Sequence, residues 1–130
     1  MSAATPLGAL ELIRTGPGGA ATVFDAPLDD PVVAGHYPGF PVLPGVYLIE
    51  TVDRTVRQWA EDRTAEDRTA VELTAMDRCR FHHPVYPGDR VFADVTIDQD
   101  ADGLLCKAAL GTNRGKVADI RLRYRHKENR

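Results

Sequence analysis

At 130 residues the chain has room for one domain with a real core and not for two. Its 43% hydrophobic and 27% charged residues are those of an ordinary globular protein, which excludes a disordered or fibrous chain. A net charge of -3 gives no general attraction to nucleic acid or to an anionic membrane, so neither is expected as a partner.

The segment from Met1 to Pro6 lacks the basic start and long apolar core of a signal peptide, and no run approaches the length of a membrane span. A cytoplasmic location is the expectation. Residues 7–14 and 20–26 flank Gly16, Pro17, Gly18 and Gly19 and read as a hairpin closed by a glycine turn. Asp29, Asp30 and Pro31 then break the chain into a stiff loop. Within it Pro38, Pro41 and Pro44 each fix one backbone angle, while Gly35, Gly39 and Gly45 permit close approaches that side chains forbid. His36 stands at the start of this loop. A helix opened by Pro44 is expected from about Gly45 to Ala60, with Val46, Leu48, Ile49, Val52, Val56, Trp59 and Ala60 on one apolar arc. Glu50 lies about a turn and a half inside it, so rigid backbone places a candidate base and a candidate acid.

Residues 61–70 repeat Glu-Asp-Arg-Thr-Ala twice, a charged stretch that reads as a frayed helix end or an exposed loop. From residue 71 onward four strand-like segments follow, at 71–81, 90–99, 104–112 and 116–125. Turns at Pro87 to Asp89, Asp100 to Gly103 and Asn113 to Gly115 separate them. Val91, Ala93, Val95 and Ile97 show the two-residue period of a strand with one buried face. Cys79 and Cys106 lack metal-ligand spacing and read as reduced, partly buried thiols. One helix and six strands, mostly in antiparallel hairpins, predict a single α+β domain over 1–130, an antiparallel sheet wrapped on one central helix.

The motifs around the helix carry a family resemblance. Gly35-His36-Tyr37-Pro38-Gly39, Pro41-Val42-Leu43-Pro44-Gly45 and Ile49-Glu50 resemble the loop and helix carboxylate of the β-hydroxyacyl-acyl-carrier-protein dehydratases, which have the hot-dog fold. Arg80-Phe81-His82-His83-Pro84-Val85-Tyr86-Pro87-Gly88-Asp89 is similar to a strand and turn of the same family. The resemblance covers about residues 20–125. It implies a dimer whose sheets join edge to edge, with His36 from one chain and Glu50 from the other in each site. It also implies loss of water from a 3-hydroxyacyl thioester on the phosphopantetheine arm of an acyl carrier protein, in fatty acid or polyketide synthesis, with no metal or redox cofactor.

In the roles so implied, His36 takes the proton alpha to the thioester carbonyl, Glu50 protonates the departing hydroxyl, and the Gly45 N–H polarises the carbonyl oxygen. A neutral imidazole is a base near neutral pH, and a helix N-terminus offers free N–H groups and positive potential to an enolate-like oxygen. Val42, Pro44 and Tyr47, on the apolar loop and helix, are expected to line the acyl tunnel. Arg54, Arg57, Arg78 and Arg80 are candidates for attracting an acidic carrier protein, or are simply a solvated face.

Competing readings stand beside these. Glu50 at four residues from Arg54 reads equally as an exposed helix pair. Arg54 departs from the glutamine usual in the family, and a cation favours the ionised form of a neighbouring carboxyl group. His82 and His83 stand where the family has basic residues, and as strand neighbours facing opposite sides they are unsuited to chelating one metal. The chain also lacks the Leu-Pro-His-Arg segment of the family's longer members. The alternatives are a non-catalytic or half-site subunit of a heterodimeric dehydratase, and a hot-dog acyl thioesterase.

Overall fold

The computed structural model describes residues 9–27, 43–62 and 70–127. The first hairpin pairs β1 (Glu11–Gly16) with β2 (Gly19–Asp25), and helix α1 (Gly45–Glu61) follows. Four strands complete the chain: β3 (Val71–Phe81), β4 (Arg90–Gln99), β5 (Gly103–Thr112) and β6 (Gly115–His126). They form one antiparallel sheet in the order β1-β2-β4-β5-β6-β3, with α1 packed on one face. This is the α+β arrangement expected, and the element boundaries fall close to those read from the turns. The hairpins account for the pairings of neighbours in sequence. Only β2 with β4 and β3 with β6 required the tertiary fold.

Two glycines are obligatory for this sheet. A Cβ at Gly19, whose φ is 147°, would stand 2.0 Å from the Val95 carbonyl oxygen, and one at Gly103 would stand 1.9 Å from the Tyr124 oxygen. In both places a neighbouring strand passes too close for any side chain.

Alternation on β4 buries Val91, Ala93, Val95 and Ile97 and exposes the residues between them. On β6 the helix-facing set is Ile120, Leu122 and Tyr124. Against this face α1 buries Leu48, Val52, Val56, Trp59 and Ala60, as the apolar arc predicts. Val46 departs from that arc. It is 63% exposed, in the first turn of the helix. Thr51 and Thr55 are fully buried in its place. Each donates its hydroxyl proton to the carbonyl four residues back, Thr51 to Tyr47 and Thr55 to Thr51, both at 2.8 Å. Satisfied in this way, a threonine serves as a small core residue.

The helix begins with Pro44 as its N-cap and ends where the Asp62 N–H bonds the Gln58 oxygen. Trp59 fastens its far end to the first hairpin by donating Nε1–H to the Gly16 oxygen at 2.7 Å. Cys106 is buried and Cys79 exposed, and both are free thiols. Cys79 is less covered than expected because it lies on β3, an edge strand of the sheet whose second half is exposed. No helix among the described residues is long and apolar enough to cross a membrane.

Candidate active site

The expected site lies at the start of α1. Leu43 and Pro44 are buried, and the Leu43 N–H donates to the Val85 oxygen at 2.8 Å, which ties the helix entrance to the turn after β3. Pro44 supplies no side-chain cap, so the first N–H groups of the helix keep their positive potential. Beside them opens a cleft of about 480 Å³ lined by Leu43, Gly45, Leu48, Phe81, His83 and Val85. Gly45 packs closely under the Phe81 ring. A Cβ there would meet Cζ of Phe81 at 3.0 Å and Cε1 at 3.1 Å. The cleft is thus lined by apolar side chains together with His82 and His83, beside a helix terminus without a side-chain cap, a suitable place for an oxygen that develops negative charge.

Glu50 lies farther along the same helix. Its Oε2 is shielded from solvent and has no hydrogen-bond partner among the described residues. The Arg54 Nη1 stands 4.0 Å away, at the outer limit of an ion pair and beyond hydrogen-bonding range. The i,i+4 pair with Arg54 therefore forms, but between two largely covered side chains, 27% and 32% exposed, and not on an open surface. Arg57 turns instead to Asp53, its Nε 3.0 Å from Oδ2. Asp53 also accepts the Tyr124 hydroxyl at 2.7 Å.

His36 and Val42 lie outside the described residues, so their expected roles have no geometry here. Pro44 and Tyr47 do not line the cleft. Tyr47 is half-buried against the core, and its N–H donates to the Pro44 oxygen at 3.0 Å. The four arginines assigned to one carrier-binding patch separate. Arg54 and Arg57 are on the helix, inside the sheet's curve. Arg78 and Arg80 share the opposite face of the sheet with Arg121 and Asp119, their cross-strand partners. The reason is alternation: Arg121 falls between the helix-facing Ile120 and Leu122.

His82 and His83 follow the end of β3 and are not strand neighbours. Both of their N–H groups donate to the Val117 oxygen, at 2.7 and 3.3 Å. His82 Nε2 lies 2.9 Å from Asp119 Oδ2, and Lys116 Nζ lies 3.1 Å from Oδ1. These two bonds, His82 first, hold the Asp119 carboxyl below the usual carboxylate range. Among the described residues no group of three or more His, Cys, Asp or Glu side chains gathers to hold a metal. Sequence reasoning missed Phe81 as the cap over Gly45 and Asp119 as the partner of His82. Both depend on β3 pairing with β6, which no local pattern reveals.

Comparison with known proteins follows the same lines. The ApeI-like family model, for the ApeI dehydratase, matches residues 15–119. The 3-hydroxyacyl-acyl-carrier-protein dehydratase FabZ of Polynucleobacter necessarius is 34% identical over 91 residues, 70% of this chain and 61% of that protein. FabZ of Cupriavidus metallidurans is 28% identical over 99 residues, 75% of this chain and 66% of its own length. The chain thus spans a little under two thirds of the curated relatives it matches. Among solved structures, a hypothetical thioesterase with coenzyme A from Streptococcus pneumoniae superposes with a TM-score of 0.75 at 9% identity, covering 99% of this chain and 97% of that one. The PaaI protein of E. coli gives 0.71 at 15% identity, covering 95% and 82%. At such identities these two likenesses establish the hot-dog fold and nothing finer.

Proposed function

Because the chain belongs to the ApeI-like dehydratase family, we propose that it removes water from a 3-hydroxyacyl thioester carried on an acyl carrier protein, giving the trans-2-enoyl thioester. The observation that carries this reading is the enclosed Glu50 oxygen. Among the described residues no donor bonds this oxygen, which leaves it free to bond a substrate hydroxyl. The start of α1, without a side-chain cap and opening on the cleft, supports the second element, a site for the thioester oxygen at Gly45.

In the proposed reaction His36 removes the proton on the carbon next to the carbonyl. The electron pair forms the new double bond as the hydroxyl leaves, and Glu50 supplies the proton that makes it water. The Gly45 N–H holds the carbonyl oxygen while charge gathers there. General acid and base contributions of this kind are each worth about 10² to 10⁴ in rate. The reaction calls on no metal or redox cofactor. The partner is an acyl carrier protein, and the functional unit is a dimer with His36 and Glu50 drawn from different chains.

A second reading has its own observation. Arg54 stands in ion-pair range of Glu50, and a carboxylate held by an arginine suits a half-site subunit whose catalytic acid comes from a related chain.

The test is to mix the protein with a (3R)-3-hydroxyacyl carrier protein and follow the carrier by intact mass, beside His36→Ala and Glu50→Gln. Loss of one water with wild type and not with either variant is the expected result. Release of the acyl group would make the protein a thioesterase. No change in mass would overturn the stand-alone enzyme in favour of the half-site subunit.

A further inference from the structure

A row of like charges crosses the outer face of the sheet. Arg78 on β3 lies directly across from Arg121 on β6, and Arg121 directly across from Lys107 on β5. With strands about 4.8 Å apart, three cations stand side by side over about 10 Å. Arg80 adds a fourth two residues along β3. Like charges directly opposite on a sheet are destabilising, so this row costs the fold stability.

The cost is not offset by ion pairs. Every other described arginine, and Lys116, has a carboxylate within ion-pair distance. Lys127, near the end of the described chain, is the one further exception. Asp119 is the cross-strand partner of Arg80, but its two oxygens are taken by His82 and Lys116. In a chain of net charge -3, the cations without an ion-pair partner among the described residues, Lys127 apart, therefore collect in one place. That place is concave, a cleft of about 370 Å³ lined by Arg78, Arg80, Lys107, Asp119 and Arg121.

We infer that this cleft binds a diphosphate group of a small molecule. Three guanidinium forks and one ammonium match the several oxygens and charges of linked phosphates, which arginine holds through paired hydrogen bonds. The volume lies in the range of small-ligand sites, about 300 to 1,000 Å³, and is too confined for the broad contact of a protein partner. The site is on the face of the sheet opposite α1 and does not depend on the dehydration chemistry.

The experiment is calorimetric titration of the full chain with inorganic pyrophosphate, ADP and a short polyglutamate, alongside thermal melts with each. Wild type is expected to bind pyrophosphate and ADP with similar affinity, weakened by salt, and to melt higher with either. Lys107→Gln and Arg121→Gln should each weaken binding about tenfold or more and lose the ligand-induced rise in Tm. Their unliganded Tm should equal or exceed that of wild type, since each relieves repulsion in the row. Binding of ADP without pyrophosphate, or of polyglutamate alone, overturns the diphosphate site, the latter in favour of an acidic protein surface. Unchanged affinity in both variants, or a wild type that binds none of the three, also overturns it. None of these readouts uses dehydratase activity, so the two proposals fail separately.

Discussion

The hydroxyl oxygens of Thr22 on β2 and Thr55 on α1 lie 2.8 Å apart, both buried, and add a polar contact in the core between helix and sheet. The direction of the bond follows from its neighbour. Thr55 gives its own proton to the Thr51 oxygen, so the Thr22 hydroxyl is the donor between the two threonines.

Thr55→Val leaves the Thr22 hydroxyl buried without an acceptor and is expected to cost about 1–3 kcal/mol. The double variant with Thr22→Val removes both groups and should recover much of that loss. Urea denaturation of the two single variants and the double closes the cycle. Simple additivity of the two losses would show that the hydroxyls do not act as a pair.

Gly45→Ala tests the contact between the helix start and the Phe81 ring. The ring is 48% exposed, so it has room to move when a Cβ arrives at 3.0 Å. Stability should change by no more than about 1 kcal/mol, since alanine favours the helix. Dehydration should fall by about 10²-fold as the ring shifts into the cleft. Phe81→Ala in the same background should restore part of the rate if displacement of the ring is the cause.

Burial, and secondly the hydrogen bond to Asp53, push the Tyr124 hydroxyl well above the usual tyrosine range. A raised native pKa means that the protonated form is favoured by folding. The associated stability is complete below the unfolded value of about 10 and is lost as pH climbs toward the native one. Ultraviolet difference titration should therefore show Tyr124 ionising only with unfolding, whereas Tyr124→Phe should remove its share of the alkaline loss.

Acid should act in the opposite sense through Asp89. The bond from Arg114 first, and the Tyr86 N–H as well, hold its carboxyl below the usual range. Its contribution is complete above the unfolded value of about 3.9 and is lost as pH falls through the lower native value. Urea midpoints measured from pH 5 to pH 2 should decline, and Asp89→Asn should start lower at pH 5 and decline less.

Much of the architecture was written locally. The Asp100 to Gly103 turn and Asn113 to Gly115 marked hairpins, because turn geometry depends on residues next to one another. Pro87, Gly88 and Asp89 instead turn the chain between β3 and β4, which do not pair, so the hairpin expected there is not formed. The helix was legible from Pro44 and the spacing of Leu48, Val52, Val56 and Trp59. Thr51 and Thr55 were not legible as core, because a threonine's burial depends on where its hydroxyl finds an acceptor. The candidate site was legible in part. Gly45 and Glu50 could be named from their motif, yet the ring over Gly45 and the enclosure of the Glu50 oxygen could not.

Composition, turn residues and apolar periodicity were enough to indicate an α+β fold with a helix entering at Pro44 and six strands, of which β1 with β2, β4 with β5 and β5 with β6 pair as hairpins. Those signals act over a few residues and need no knowledge of distant partners. The tertiary structure alone decided that β3 pairs with β6, because that register comes from packing between segments far apart in the chain. From that one pairing follow the contact of Phe81 with Gly45, the bond between His82 and Asp119, and the row of Arg78, Arg121 and Lys107 on the outer face.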